Sequence, residues 1–347
     1  MEKTSLMSIK RESVKAIFKS VAEGNNISRS EISAKTGLSL MTVGKVIDAL
    51  LELGVVCQEK EKKNVAGRKA GLINLKNDSF MLVLDLTSAE FAMSVIDIKL
   101  GVVDKMIYSY NADFYFEENL FIFLKNVKIY LERRFDLNNL IGTGVTVPGK
   151  YDETSDTVAN PGLSELNNVN IKKTIEEALS LKVSFIEEDI KSAALSNIAA
   201  VNGDENGTLS YVYIGKDTIK AVNVVDGEIL YGERGNAGDI KRILVDGVNS
   251  FEKVLSLSSG TPAFLRAASV ALFDLSLLVD PAKIIIECEK IKLGDESLSI
   301  IKNAMEEFNG TSPHPLPELI LSKDGIKHSH RGIAMKLREK WLEKILT

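Results

Sequence analysis

Val14, Ile17, Phe18 and Val21 recur at the i, i+3, i+4, i+7 spacing of one helix face. Gly24-Asn25-Asn26 closes that run. Ser28-x-x-Glu31 then has the form of a capping box, and it opens a second, short helix through Lys35. The stretch Thr36–Ser39 (TGLS) reads as a tight turn. Val43, Val46, Ile47 and Leu50 mark one face of a third helix, which Gly54 stops. Two short strands, VVCQEK and GLINL, follow around the basic loop EKKNVAGRKA. Helix, turn of about four residues and helix is the shape of a helix-turn-helix, and a basic hairpin after it is a wing.

This head has the groups a DNA reader needs. Ser39, Thr42 and Lys45 lie off the apolar stripe of the third helix, where small polar and basic side chains reach base edges and phosphates. Gly67-Arg68-Lys69 at the wing tip places a guanidinium where the minor groove concentrates negative potential. Gly44 inside the third helix costs about 1 kcal/mol against alanine. Either it permits close approach to DNA or it is a tolerated defect.

The rest of the chain changes period. Residues 81–98 and 209–232 each read strand, turn, strand. Setting Val83–Asp97 under Val212–Asp226 brings Val83 to Val212, Ala92 to Ala221, Val95 to Val224 and Asp97 to Asp226. Such a repeat predicts two similar lobes, each opening with a β-hairpin. Strands and helices then alternate. An amphipathic stretch, Glu118–Phe135, precedes the strand Leu140–Val147. The helix Ile171–Leu179 precedes the strand Val183–Ile186, and an alanine-rich helix follows Asp189. A long helix ending in LFDLSLLVDP precedes the strand AKIIIEC. The alternation predicts α/β lobes with mixed sheets and a cleft between them. Residues 1–77 form the head, 78–188 the first lobe and 189–347 the second, with the C-terminal helix packing back on the first.

Composition narrows the setting. Hydrophobic content of 45% and charged content of 26% match a soluble globular protein. No run of about 18 apolar residues is read, so no membrane span is expected, and the N-terminus lacks a signal-peptide core. Cys57 and Cys288 cannot build a disulfide framework, and the histidines, His314, His328 and His330, all fall late, against a zinc site. A reducing cytoplasm is the expected compartment. Residues 1–80 carry 14 Lys/Arg and 9 Asp/Glu, a net of +5, and the remainder a net of −10. A basic head on an acidic body points the head at a polyanion.

Five stretches, GVTVPGKYD (144–152), ANPGL (159–163), VSFIEEDIKSAAL (183–195), GERGNAGDIKRI (232–243) and LFDLSLLVDPAKIII (272–286), fall in one order. In that order the chain resembles the ROK family of bacterial sugar kinases and sugar-responsive repressors, and its head resembles the repressor branch. The resemblance implies an actin-like (ribonuclease H-like) two-lobed fold, a sugar in the cleft and a homodimer that brings two heads to one operator. The family's Glu-Asn-Asp block, with the kinase base, matches Glu187-Glu188-Asp189. Asp189 holds the base position, or caps the following helix, or both. Its Asn-Pro matches Asn160-Pro161, and its Gly-Glu-Ile-Gly-His matches Gly238 to Arg242. Asp239 keeps a carboxylate there. Arg242 replaces a histidine, and suits either an anionic ligand or an internal pair with Glu187, Glu188 or Asp239; the internal pair is favoured because buried carboxylates need a counter-charge.

Other family parts are missing from the sequence. No cysteine follows Arg242 until Cys288, so the zinc cluster is not expected. The family's first phosphate turn, Asp-x-Gly-Gly-Thr, is here Asp85-Leu86-Thr87-Ser88, and its second, glycine-rich turn is Gly215-Lys216-Asp217-Thr218. A phosphate cradle needs exposed N–H groups and the close approach that glycine allows. Where kinases place glycines against the nucleotide, this chain has Glu287-Cys288-Glu289-Lys290. The expectation is a DNA-binding regulator of carbohydrate metabolism, a repressor, with no cofactor and with a sugar or sugar-phosphate effector. The alternatives are an ATP-dependent sugar kinase with a DNA-binding head, or a ligand-independent DNA-binding dimer.

Overall fold

The computed structural model describes residues 11–24, 26–60, 71–76, 78–87, 90–159, 164–201, 207–215, 218–257, 261–322 and 329–346. They group into two compact units that interleave along the chain. The first holds Met1–Val145, Val169–Ile186 and Ile333–Thr347, and the second holds Thr146–Asn168 and Glu187–Gly332.

The first unit begins with three helices and a small sheet. Helix α1 (Arg11–Glu23) is followed by strand β1 (Ile27–Ser28), α2 (Arg29–Thr36) and α3 (Leu40–Glu52), then β2 (Val56–Lys60) and β3 (Gly71–Leu75). The strands pair in the order β1-β3-β2, both pairs antiparallel. The capping box is present. The Ser28 hydroxyl accepts from the Glu31 N–H at 3.3 Å, and the Glu31 carboxylate accepts from the Ser28 N–H at 2.8 Å. Those bonds hold the Glu31 carboxyl below the ordinary carboxylate range. Gly37 ends α2 at φ +68°, a conformation that glycine adopts without strain. Val14, Ile17, Phe18 and Val21 pack with Ile32, Val43, Val46, Ile47, Leu50 and Ile73 in one core.

The same unit carries a five-stranded sheet of β4 (Phe80–Asp85), β5 (Glu90–Asp97), β6 (Val102–Ser109), β7 (Leu140–Val147) and β10 (Val183–Glu188). Between β7 and β10 come a short hairpin, β8 (Lys150–Asp152) and β9 (Thr157–Ala159), and helix α5 (Ile171–Leu179). The strand order is β10-β7-β4-β5-β6. Side chains alternate across this sheet. Phe91 points to one face, with Phe123 of α4 (Phe116–Arg134) at 5.3 Å between ring centroids. Met81, Val83 and Ile96 point to the other, where Ile333, Ala334 and Leu337 of α10 (Ser329–Leu346) cover them. Gly144 makes room for this helix, since a Cβ there would lie 2.3 Å from Ile333 Cγ2.

Helix α10 also closes the head. Leu342 is buried in the α1–α3 core beside Ile98. Lys15 of α1 pairs with Glu339, and the Arg338 guanidinium lies 5.5 Å from the centre of the Phe18 ring while it donates to the Ile98 carbonyl at 3.1 Å.

The second unit repeats the plan. Helix α6 (Asp189–Val201) precedes β11 (Thr208–Ile214), β12 (Ile219–Val225) and β13 (Glu228–Ile229). Helices α7 (Phe251–Leu257) and α8 (Thr261–Val279), strand β14 (Lys283–Cys288), helix α9 (Asp295–Asn309) and strand β15 (Glu318–Leu321) follow. The order β13-β12-β11-β14-β15 matches that of the first sheet, strand for strand. Tyr211, Tyr213 and Ile285 face α6, and Val212, Ile214 and Ile286 face α7 and α8.

Two expectations change. The ungapped match of the hairpins slips by two residues: Val83 pairs with Ser94, but Val212 pairs with Ala221, so the second hairpin closes earlier. A slip of two preserves which face each side chain takes, so the apolar pattern matched despite it. And one helix, over Pro262–Val279, is long and apolar enough by length and composition to cross a membrane. In this fold it buries Phe264, Leu265, Ala268, Leu272 and Leu275 in the core of the second unit.

Replacing Leu342 with alanine should cost about 2–5 kcal/mol, the range for truncating a buried leucine, read by urea unfolding. Amide exchange in α1 should speed up alongside it. Burial works to raise the pKa of Glu339, but Lys15 and Lys336 outweigh it and hold the carboxyl below its ordinary value. A depressed pKa in the folded state means stability present above about pH 4.3 and lost as pH falls through the folded value. Glu339→Gln should flatten that acid limb of a stability–pH curve.

Candidate functional site

Two places in the fold collect the residues expected to act. The first is the outer face of α3. Its inner stripe, Val43, Val46, Ile47 and Leu50, is fully buried. Ser39 is the N-cap, and its hydroxyl accepts from the Thr42 N–H at 3.1 Å and lies 2.9 Å from the Thr42 hydroxyl. Lys45 is exposed one turn on. Ser39, Thr42 and Lys45 therefore sit together on the free side of the helix. Arg68 and Lys69 lie outside the described residues.

The sequence reading missed two neighbours on that side. Leu40 is 60% exposed and Met41 72% exposed. Their signal was legible: both fall off the 3.6-residue stripe, and Met41 stands four before Lys45. Further along, Arg29 of α2 donates to Asp48 of α3 at 2.6 Å. Gly44 faces that arginine, with Arg29 Nη1 3.7 Å from where a Cβ would stand, an ordinary contact.

The second place lies within the second unit, where β10 runs into α6. Glu187 and Glu188 are buried, and so is Lys191 one turn into the helix. Successive side chains at a strand end diverge, and each carboxylate finds its own partners. The Glu188 oxygens both accept from Lys220 Nζ at 2.6 Å, and Lys191 Nζ lies 3.3 Å from Glu188. Glu187 accepts from the Tyr231 hydroxyl at 2.5 Å and lies 3.8 Å from Lys191, whose ammonium stands 4.8 Å from the centre of the Tyr231 ring. Two carboxylates and two ammonium groups thus neutralise one another in a buried cluster. Asp189 is the first residue of α6, partly exposed, and accepts from the Ile190 N–H at 2.8 Å. It sits where the helix dipole favours a negative charge.

Asp239 and Arg242 stand apart from this cluster. Both are exposed, on the turn Ile240–Arg242, with Arg242 Nε 3.8 Å from Asp239 Oδ2. Of the partners expected for Arg242, Asp239 is the one it meets, and the counter-charges of Glu187 and Glu188 are Lys191 and Lys220. Lys191 was legible as i+3 and i+4 from the glutamates, but Lys220 reaches Glu188 from β12, a pairing no local pattern announces. Asn160 lies outside the described residues. Gly238 locks the segment before the turn. It has φ +87°, its carbonyl accepts from the Ala221 N–H at 2.8 Å, and a Cβ would lie 1.9 Å from the Ala221 oxygen.

The hairpin turns complete the inventory. In the first, the Asp85 carboxylate accepts from the N–H and the hydroxyl of Thr87, at 3.0 and 2.5 Å. In the second, the Gly215 N–H donates to the Thr218 carbonyl at 2.8 Å, and a Cβ on Gly215 would lie 2.8 Å from the Tyr213 ring. Beside it the Tyr211 hydroxyl donates to Glu287. Burial, together with a hydrogen bond to Glu289, pushes the Tyr213 phenol above its ordinary value.

Residues 84–255 match the model of the ROK family. A xylose repressor of Caldicellulosiruptor bescii is 24% identical over 240 residues, which are 65% of this chain and 56% of that protein. The chain spans less than two thirds of the length of the curated relatives it matches. Among solved structures, a ROK family transcriptional regulator, a homolog of the E. coli MLC protein, superposes with TM-score 0.72 at 16% identity, covering 96% of this chain and 98% of that one. A ROK hexokinase from Thermus thermophilus superposes with TM-score 0.59 at 19% identity, covering 74% of this chain and 97% of that one. The two sheets and their helices are the actin-like α/β fold of these proteins.

Removing one member of a buried ion pair leaves its partner uncompensated, at about 3–5 kcal/mol. Lys220→Met should show that loss in urea unfolding. The double variant Glu188→Gln/Lys220→Gln should recover most of it.

Proposed function

The chain carries a ROK family domain, and on that premise we propose that it is a DNA-binding transcriptional repressor of carbohydrate metabolism, acting in the cytoplasm as a homodimer. The head, residues 1–77, is a winged helix-turn-helix, with α3 as recognition helix and the β2–β3 connection as wing. Ser39, Thr42 and Lys45 meet the major groove, and Arg68 and Lys69 the minor groove. A dimer presents two heads to a two-fold operator, since half-site symmetry mirrors protein symmetry.

The observation that carries this reading is the outer face of α3. The head completes its core on the opposite stripe and leaves Leu40, Met41 and Lys45 of α3 exposed beside the Ser39–Thr42 pair. Three further facts support it. The head is the basic part of an acidic chain. The regulator structure covers nearly all of this chain, whereas the hexokinase, itself covered almost throughout, leaves about a quarter of this chain unmatched. The relative from C. bescii is named a repressor.

The body acts without kinase chemistry. A phosphate loop offers free backbone N–H groups. Here the Gly215 N–H is spent inside its hairpin, the bare face of Gly215 is taken by the Tyr213 ring, and Asp85 is tied to Thr87. The effector is a sugar or sugar derivative, for which the resemblance offers Asn160, Glu187, Glu188 and Asp189 and, apart from the glutamate cluster on an exposed turn, Asp239 and Arg242. One observation favours a second reading, a ligand-independent dimer. Lys220 and Lys191 already neutralise Glu187 and Glu188 from within. A thermal-shift panel of xylose, other neutral sugars and sugar phosphates separates the two: a stabilising hit supports an effector, and no hit across the panel supports the scaffold.

The DNA reading is tested on duplexes that the full chain recovers from a randomised pool. Lys45→Ala and Arg68→Ala should each weaken binding across sequences and reduce the salt slope by about one. Unchanged affinity in both variants would show that the surface is misassigned. Turnover of any sugar with ATP, abolished by Asp189→Asn, would overturn the non-enzymatic reading.

A further inference from the structure

Leu40 and Met41 remain without a role in the fold. They open α3 on the side away from its core, more than half of each side chain in solvent. Two large apolar groups side by side on the face of α3 away from its core are free to enter an interface. The hydroxyls beside them are occupied. Ser39 caps the helix through the Thr42 N–H, and the two hydroxyls lie at 2.9 Å from one another. The first turn therefore projects hydrocarbon, with Lys45 exposed four residues beyond Met41 and Lys35 exposed on α2.

A partner for this patch has to accept cations at its margin and carbon at its centre. The head carries +5 over residues 1–80, against −10 in the remainder, so a second copy's acidic body or a polyanion both answer the charge. Of the two, duplex DNA has a groove of known dimensions that admits a helix and carries apolar points within it. Duplex DNA lines its major groove with phosphates at the edges and, at each A·T pair, a thymine methyl within. Resting on the DNA-binding reading above, we infer that Leu40 and Met41 select the operator by packing on thymine C5-methyl groups in the major groove. Lys45 holds the adjacent phosphate and carries no sequence choice. The head reads A·T positions through van der Waals contact there, and the Ser39–Thr42 pair serves mainly to fix the turn.

The test removes the methyl groups alone. The tightest duplex recovered from a randomised pool by the full chain is remade with deoxyuridine at each thymidine in turn. Loss of one packed methyl should weaken binding by about fourfold at one or two positions per half-site, the effect of exposing one buried methyl-sized group. Met41→Ala should bind the original duplex more weakly and lose the difference between thymidine and deoxyuridine. Lys45→Ala should weaken binding to both duplexes alike and keep the difference. Circular dichroism on Met41→Ala should match the parent, since the side chain lies outside the core.

Equal affinity for thymidine and deoxyuridine duplexes at every position overturns the inference and leaves the DNA-binding reading standing. A chain that recovers no duplex overturns both. A Met41→Ala variant that binds DNA as the parent does but shifts to a smaller species by light scattering assigns the patch to a second copy, and this also overturns the inference.

Discussion

Lys15 and Glu339 stand 324 residues apart in the chain, yet they pair across the seam where α10 meets α1. That seam is the constraint on which the first unit depends. Alone, the three helices and small sheet of the head are a small domain, with a correspondingly small core. Leu342 and Ile98 enlarge that core from elements remote in sequence. The same helix, about one and a half to two and a half turns earlier, roofs the face of the β4–β5 sheet through Ile333 and Leu337. A side chain larger than glycine at Gly144 would push it off. One helix therefore belongs to two cores at once. The head is placed by packed apolar surface, and anything that displaces α10 is felt by the fold of the head.

Charge is handled differently in the two units. Among the described residues the head buries no cation, and ion pairs it makes, such as Arg29 with Asp48, are partly solvated and contribute little to stability. The second unit buries Glu187, Glu188 and Lys191 and pairs them with one another and with Lys220. Glu187 and Glu188 lie at a sheet edge where desolvation is severe, and they persist because Lys191, Lys220 and the Tyr231 hydroxyl meet almost every oxygen. Such a cluster is weak evidence of stability, since apolar residues of the same volume would serve as well or better.

Much of this was legible in sequence, for reasons that can be named. Helix period exposed the stripe of α3, and the capping box located the start of α2, because both are rules of local geometry. The repeated hairpins and the strand–helix alternation revealed the doubled sheet, because side-chain alternation survives any even slip. The slip itself was invisible for the same reason: Val212 opposite Ala221 and Val212 opposite Asn223 bury the same face. Lys220 was missed because its partner lies 32 residues away across a sheet. Arg242 was expected to pair with Glu187, Glu188 or Asp239; it lies 3.8 Å from Asp239, on a turn that holds it in solvent, 81% exposed.

Gly215 is needed in this hairpin for a reason different from that of a glycine in a phosphate loop. In a phosphate loop, glycine is required because the anion approaches the backbone and needs its N–H. In this hairpin the N–H is consumed by Thr218, so no anion can claim it without breaking the turn. Yet glycine is still required, because the Tyr213 ring folds over the place where a Cβ would stand. Tyr213 is in turn held down by Glu289, and Tyr211 by Glu287, at the end of β14. The carboxylates that would repel a nucleotide phosphate at that strand end are thus the groups that anchor the tyrosines. Glycines placed in the turn would leave those anchors where they are, so building a phosphate-binding turn here requires changing β11, the turn and β14 together.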